Sequence, residues 1–129
     1  MELKSNELRI GNLVKEIDFN RIGVVKTIGK DRFSIKLEKS TLACSIKIIK
    51  PIPLTEEWLL KFGFAKQCDY LYFVFENGNI SFNDEIKKGI SLCIGTYCSS
   101  GLAFENIKHV HQLQNLFFAL TGEELKLIN

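Results

Sequence analysis

Proline is nearly absent from this chain of 129 residues: there are two, Pro51 and Pro53, standing one residue apart. Long apolar runs are absent too, since no stretch approaches the roughly 20 residues that a bilayer-crossing helix needs. The opening Met1-Glu2-Leu3-Lys4-Ser5-Asn6-Glu7 has no apolar core of the kind a secretory signal carries. A cytoplasmic protein without membrane contact is expected. Cysteine is sparse and unpaired in pattern: Cys44, Cys68, Cys93 and Cys98 form no C-x-x-C motif, and free, mostly buried thiols are the plain reading.

The residues of catalysis are equally thin. Gly11, Gly23 and Gly29 fit neither the dinucleotide nor the P-loop spacing, so no phosphate-cradling loop is present. The two histidines, His109 and His111, share one side of a strand but lie about 200° apart on a helix. Joining them to Cys93 and Cys98 makes a four-residue set whose C-x4-C and H-x-H spacings fall outside the usual structural zinc patterns. The acidic pairs Glu56-Glu57, Asp84-Glu85 and Glu123-Glu124 have ordinary roles at helix starts, turns and solvated ends. Cys98 with a histidine lacks any local nucleophile signature. A non-enzymatic protein with no metal and no cofactor is the expectation.

What is present is a core. The chain is 46% hydrophobic and 25% charged, with ten Phe, three Tyr and one Trp, which suits one compact unit or two small ones and disfavours disorder. Charge divides at the prolines. Residues 1–50 carry 11 basic against 6 acidic side chains, net +5, and residues 51–129 carry 6 against 9, net −3. A basic part joined to an acidic part is one way to hold a polyanion, and solvated surfaces without a partner are the other reading.

Up to Lys50 the apolar runs have strand length, over Asn12–Phe19, Arg21–Ile28, Arg32–Glu38 and Leu42–Ile49. In the third, Phe33, Ile35 and Leu37 alternate with Arg32, Ser34, Lys36 and Glu38, so one face enters a core and the other meets water. Strands this short hide their edges by curling into a small SH3-like β-barrel, with Gly11 and Gly23 at bends or bulges. On its surface Lys15, Arg21, Lys26, Lys30, Arg32 and Lys36 are candidate nucleic-acid contacts. Phe19 and Phe33 are the only aromatics of this half, and Phe33 belongs to the apolar face, so the barrel is basic without a stacking platform.

Beyond the 51–53 connector, Thr55 is set to cap a helix that Glu56 and Glu57 favour and Gly63 closes, with Trp58, Leu59 and Phe62 on its packed side. Three antiparallel strands follow, Tyr70–Phe75, Asn79–Phe82 and Ile90–Tyr97, with turns at Asn77-Gly78 and Lys88-Gly89 and a loop at Ser99-Ser100-Gly101. The last helix carries Val110, Leu113, Phe117 and Leu120 at helical spacing and stops at Gly122; Leu125–Ile128 is a candidate tail strand. Between His111 and Gly122 this helix has no formal charge. Gln112, Gln114 and Asn115 supply its polar positions, and Phe118 lies outside the main apolar stripe. A helix bare of charge is covered either by its own chain or by another molecule. The expected class is therefore α+β, with residues 1–50 as the barrel and 54–129 as a helix, sheet and helix unit.

Three blocks carry a family resemblance: Glu7-Leu8-Arg9-Ile10-Gly11-Asn12-Leu13-Val14, the segment from Pro51 through Trp58 to Phe64, and that from Val110 through Phe117 to Leu125. The chain resembles the short uncharacterised proteins encoded by phages, prophages and mobile elements of gut Bacteroidales. The resemblance implies a genomic setting, and a bacterial host cell, rather than a reaction. It turns attention to the amides of the last helix. Either they are buried groups locking it onto the three-stranded sheet, or Gln112, Leu113, Asn115, Phe117 and Phe118 form a protein-binding or self-association surface in an assembly module. A nucleic-acid-binding accessory protein built on the basic barrel is the alternative.

Overall fold

The computed structural model describes residues 3–30, 32–67, 70–75, 78–83, 90–94, 102–104 and 107–128, and the side chains of residues 3–30, 32–66 and 107–128. These divide into two compact units, Met1–Pro53 with His109–Glu124, and Leu54–Lys108 with Leu125–Asn129. The charge-free helix therefore belongs with the basic sheet, whereas the division read from the sequence puts it with residues 54–129.

In the first unit a 3-10 turn, Ser5–Glu7, precedes strands β1 (Leu13–Glu16), β2 (Ile22–Ile28), β3 (Phe33–Lys36) and β4 (Thr41–Cys44). Each pairs antiparallel with its neighbour. A 3-10 turn over Ile46–Ile48 then carries the chain to β5 (Ile49–Lys50), which pairs with β1 at the opposite edge. The order β4-β3-β2-β1-β5 is a curled antiparallel sheet.

One expected strand, Leu42–Ile49, is thus two short strands with a crossover between them. Ser45 breaks it by accepting a hydrogen bond on Oγ from the Lys47 N–H (3.2 Å). The first expected strand ends early, at Glu16, because Asn20 takes φ 59° in the turn that follows. Gly11 does mark a bend, at φ 99°, where a Cβ would meet nothing closer than 3.7 Å, so backbone conformation alone requires glycine. Gly23 serves packing instead: a Cβ there would lie 3.2 Å from the side chains of Ile35 and Leu37. The bulge of this sheet falls between Val25 and Thr27.

The alternation read over 32–38 holds. Phe33, Ile35 and Leu37 are buried with Val14, Val25, Cys44, Ile49, Leu3 and Leu8 in one core. Helix α2 (Val110–Thr121) lies against β1, enters after an Ile52 carbonyl takes the Val110 N–H (2.9 Å), and ends at Gly122 with φ 75°. Its Val110, Leu113 and Phe117 are buried, as their spacing predicts.

The second unit opens with α1 (Glu56–Lys61). The Thr55 hydroxyl accepts the Trp58 N–H (3.4 Å), and Gly63 leaves the helix at φ 94°. Leu59 and Phe62 are buried while Trp58 is half-buried, with the Lys61 ammonium 4.9 Å from its ring centroid. The sheet that follows has five strands rather than three: β6 (Ala65–Gln67), β7 (Tyr70–Phe75), β8 (Gly78–Asn83), β9 (Ile90–Ile94) and β10 (Leu102–Phe104), in the order β10-β9-β8-β7-β6. Three of them match the strands read from sequence. Gly78 already lies in β8, opposite Phe75, so it is not a central turn residue. Asn77, the Lys88-Gly89 turn and the Ser99-Ser100-Gly101 loop lie outside the described residues. Leu125–Ile128 forms no strand; Leu125 is buried and the Ile128 N–H donates to the Lys61 carbonyl (2.7 Å).

Candidate functional site

The amides of α2 are satisfied from within the first unit. Gln114 Oε1 accepts the Leu13 N–H (2.8 Å), and its Nε2 donates to the Gly11 carbonyl (3.3 Å). Asn115 Oδ1 accepts from Arg9 Nη1 (2.9 Å) and from Asn12 Nδ2 (2.8 Å), while its Nδ2 donates to the Glu7 carbonyl (2.9 Å). Arg9 also pairs with Glu124 and lies 4.0 Å from the centre of the Phe118 ring. Gln112 turns back to the helix start, where its Oε1 accepts the His109 N–H (3.0 Å).

The locking reading thus holds for the amides, with one correction. Gln114 and Asn115 grip residues 7–13 of the basic half rather than the three-stranded sheet, and Gln112 caps its own helix. Of the five helix residues read as a protein-binding surface, Leu113 and Phe117 are buried, Gln112 and Asn115 are half-buried, and only Phe118 is exposed.

His109 precedes the helix in an extended conformation, so the two imidazoles come together after all, with ring centroids 5.9 Å apart. His111 is fully buried, and among the described residues neither of its ring nitrogens has a hydrogen-bond partner. Glu7 Oε1 stands 3.8 Å from His111 Nε2, beyond hydrogen-bond length. Burial holds the His111 pKa below its ordinary value; Glu7 opposes this and His109 adds to it. No group of three or more His, Cys, Asp or Glu among the described residues is placed to hold a metal ion. Cys98 and the side chain of Cys93 lie outside the described residues, and Cys44 is a free, buried thiol whose pKa is pushed up by burial and by Glu16.

The basic candidates separate by face. Strand register puts Lys15 opposite both Ile22 and Lys50, and Lys36 opposite Val24. Because side chains alternate, all five lie on the face turned away from Val14, Val25 and Ile35. Leu13, which is buried, and Thr27, Ser34, Thr41 and Ala43 complete that face in the strands, so it carries three lysines and no carboxylate. Lys50 is a member that sequence reasoning missed, since its place beside Lys15 depends on the crossover to β5. Lys26 sits at the bulge, and Lys30 and Arg32 flank the β2–β3 turn; all three are exposed.

Arg21 belongs elsewhere. Its Nε donates to Glu16 Oε2 (3.0 Å), and its guanidinium lies 4.9 Å from the centre of the Phe19 ring. Phe19 is 75% exposed. Glu16, 1% exposed, also accepts the Phe19 N–H on Oε1 (3.1 Å). Desolvation raises its pKa, but the Arg21 bond and charge and the backbone amides of Phe19 and Asp18 outweigh it and hold the carboxyl below its ordinary value. The sequence signal for this loop is a Phe two residues before an Arg in a turn, which is too common a pattern to single out.

No protein-family model, no curated protein and no solved structure matches this chain. Among the described residues no helix is long and apolar enough to cross a membrane.

Proposed function

We propose that this protein is a non-enzymatic binding module of phage or mobile-element origin, and that its working surface is the outward face of an SH3-like N-terminal sheet. The ligand class is nucleic acid, held through its phosphates. One observation supports this above the rest: Lys15, Lys36 and Lys50 share a face on which the strands carry no carboxylate. Lys15 and Lys50 are directly opposed, an arrangement that costs stability in a free sheet and is relieved by an anion between them. Among the described residues none of the three forms an ion pair, whereas Arg9 and Arg21 are each engaged by a glutamate.

The test is binding of labelled mixed-sequence DNA and RNA as salt is raised. Three phosphate contacts predict a log–log slope of about −2 to −3, and the double change Lys15→Glu with Lys50→Glu abolishes most of it. No binding at low salt refutes the reading.

An assembly role through α2 is the second reading, and the exposed ring of Phe118 supports it. Phe118→Glu then converts an oligomer to a monomer by light scattering. A wild-type protein that is monomeric at every concentration removes it.

A further inference from the structure

We infer that the β1–β2 hairpin presents Phe19 as a stacking point for an unpaired base, so that the lysine face takes single-stranded rather than duplex nucleic acid. The inference rests on the polyanion reading above and adds to it the identity of the strand.

The loop is built to hold an aromatic ring in water. Glu16 buries an ionised carboxylate at the end of β1 and spends both oxygens on the turn, Oε1 on the Phe19 N–H and Oε2 on Arg21 Nε. The Glu16 N–H closes the same loop onto the Arg21 carbonyl (2.7 Å), and Asn20 supplies the left-handed residue between them. A buried carboxylate is retained only where its hydrogen bonds are filled. Here they fix a loop whose aromatic ring is left outside, with Ile17 beside it 45% exposed. Hydrophobic burial cannot account for a Phe that is 75% exposed.

The composition of the tip matches the two halves of a nucleotide. Phe19 offers a π-face, and Arg21 flanks it with a planar cation that stacks on aromatic rings and bases alike. At the foot of the same hairpin Ile22 is 43% exposed and faces Lys15, which faces Lys50. Ammonium groups for phosphates thus stand at the root of the loop, on the opposite face of the hairpin from the cross-strand pair of Glu16 and Arg21, so a strand held by both passes around the hairpin edge. In a duplex the base faces are already occupied by their neighbours, so Phe19 adds affinity only for a strand whose bases are free. A protein partner has no equal claim, because the lysines at the foot of the hairpin call for an anion.

The experiment is fluorescence anisotropy of the full chain at low salt with labelled oligothymidylate and with a mixed-sequence duplex of equal length. The single strand is expected to bind more tightly. Phe19→Ala should reduce its affinity roughly 5- to 150-fold and leave the duplex unchanged, while Phe19→Tyr retains the wild-type value. Phe19 is outside the core, and an unaltered circular dichroism spectrum verifies that the variant folds. Lys15→Glu with Lys50→Glu should weaken both probes. If Phe19→Ala leaves single-strand affinity intact while the lysine changes weaken both probes, the stacking inference falls and the lysine face stands. If neither probe binds the wild-type protein, both fall and the hairpin is left to a protein partner.

Discussion

Gln114 Oε1 sits 2.8 Å from the backbone nitrogen of Leu13, 101 residues away in the chain, and so takes the place that a neighbouring strand's carbonyl would fill. Its Nε2 returns the bond to the Gly11 carbonyl. One side-chain amide thereby completes the hydrogen bonding at the entry to β1, where Gly11 has turned the chain.

Truncating that amide leaves the Leu13 N–H buried and unpaired. Gln114→Ala should therefore lower stability by about 1–3 kcal/mol. Urea unfolding followed by far-UV circular dichroism measures it, and a loss within a few tenths of a kcal/mol would show that water replaces the amide.

Leu113 and Phe118 lie on the same helix with opposite exposure, fully buried and 39% exposed. Leu113→Ala should cost about 2–5 kcal/mol through the lost transfer energy and the cavity. Phe118→Ala removes a partly exposed ring that Arg9 overlies and should cost about 1 kcal/mol or less. Equal losses in the same unfolding experiment would contradict the packing described for α2.

His111 should make stability fall with acid. Its folded-state pKa is depressed, so the unfolded chain takes up a proton first, and stability declines as pH drops below about 6.5, the ordinary histidine value. The slope reaches at most about 1.4 kcal/mol per pH unit and ends once the folded form is protonated as well. Glu16 acts in a separate, lower window: its pKa is depressed, so its contribution is complete above the ordinary carboxylate value and is lost as pH falls through the folded-state value. Urea midpoints measured from pH 8 to pH 5 should drop in the wild-type protein and flatten in His111→Gln (about one proton fewer linked to unfolding). An unchanged pH profile in that variant would assign the effect to other groups.

Much of the local structure is legible in the residues. The alternation of Phe33, Ile35 and Leu37 names both the strand and its buried face, Thr55 and Gly63 bracket α1, and Gly122 ends α2 in the left-handed conformation such a stop requires. The absence of charge on α2 goes with a helix whose Gln114 is buried and whose Gln112 and Asn115 are half-buried, while Phe118 stays exposed. These are short-range signals, set by periodicity and by the backbone preferences of single residues.

The partner of that helix was not legible, and neither was the site. Which backbone Gln114 and Asn115 would satisfy depends on segments more than 100 residues distant, and an amide accepts any peptide group that geometry brings near. Lys50 joined Lys15 only because the Ser45 turn sends β5 across to the far edge. Glu16 falls on the Val14 side of β1, where it is 1% exposed, and its carboxylate bonds within the hairpin to groups that its own position in the sequence does not name. Local pattern determined the elements and the sign of the charge; only the packed chain decided which charges share a face and which ring stays in water, because those follow from distances that no local periodicity encodes.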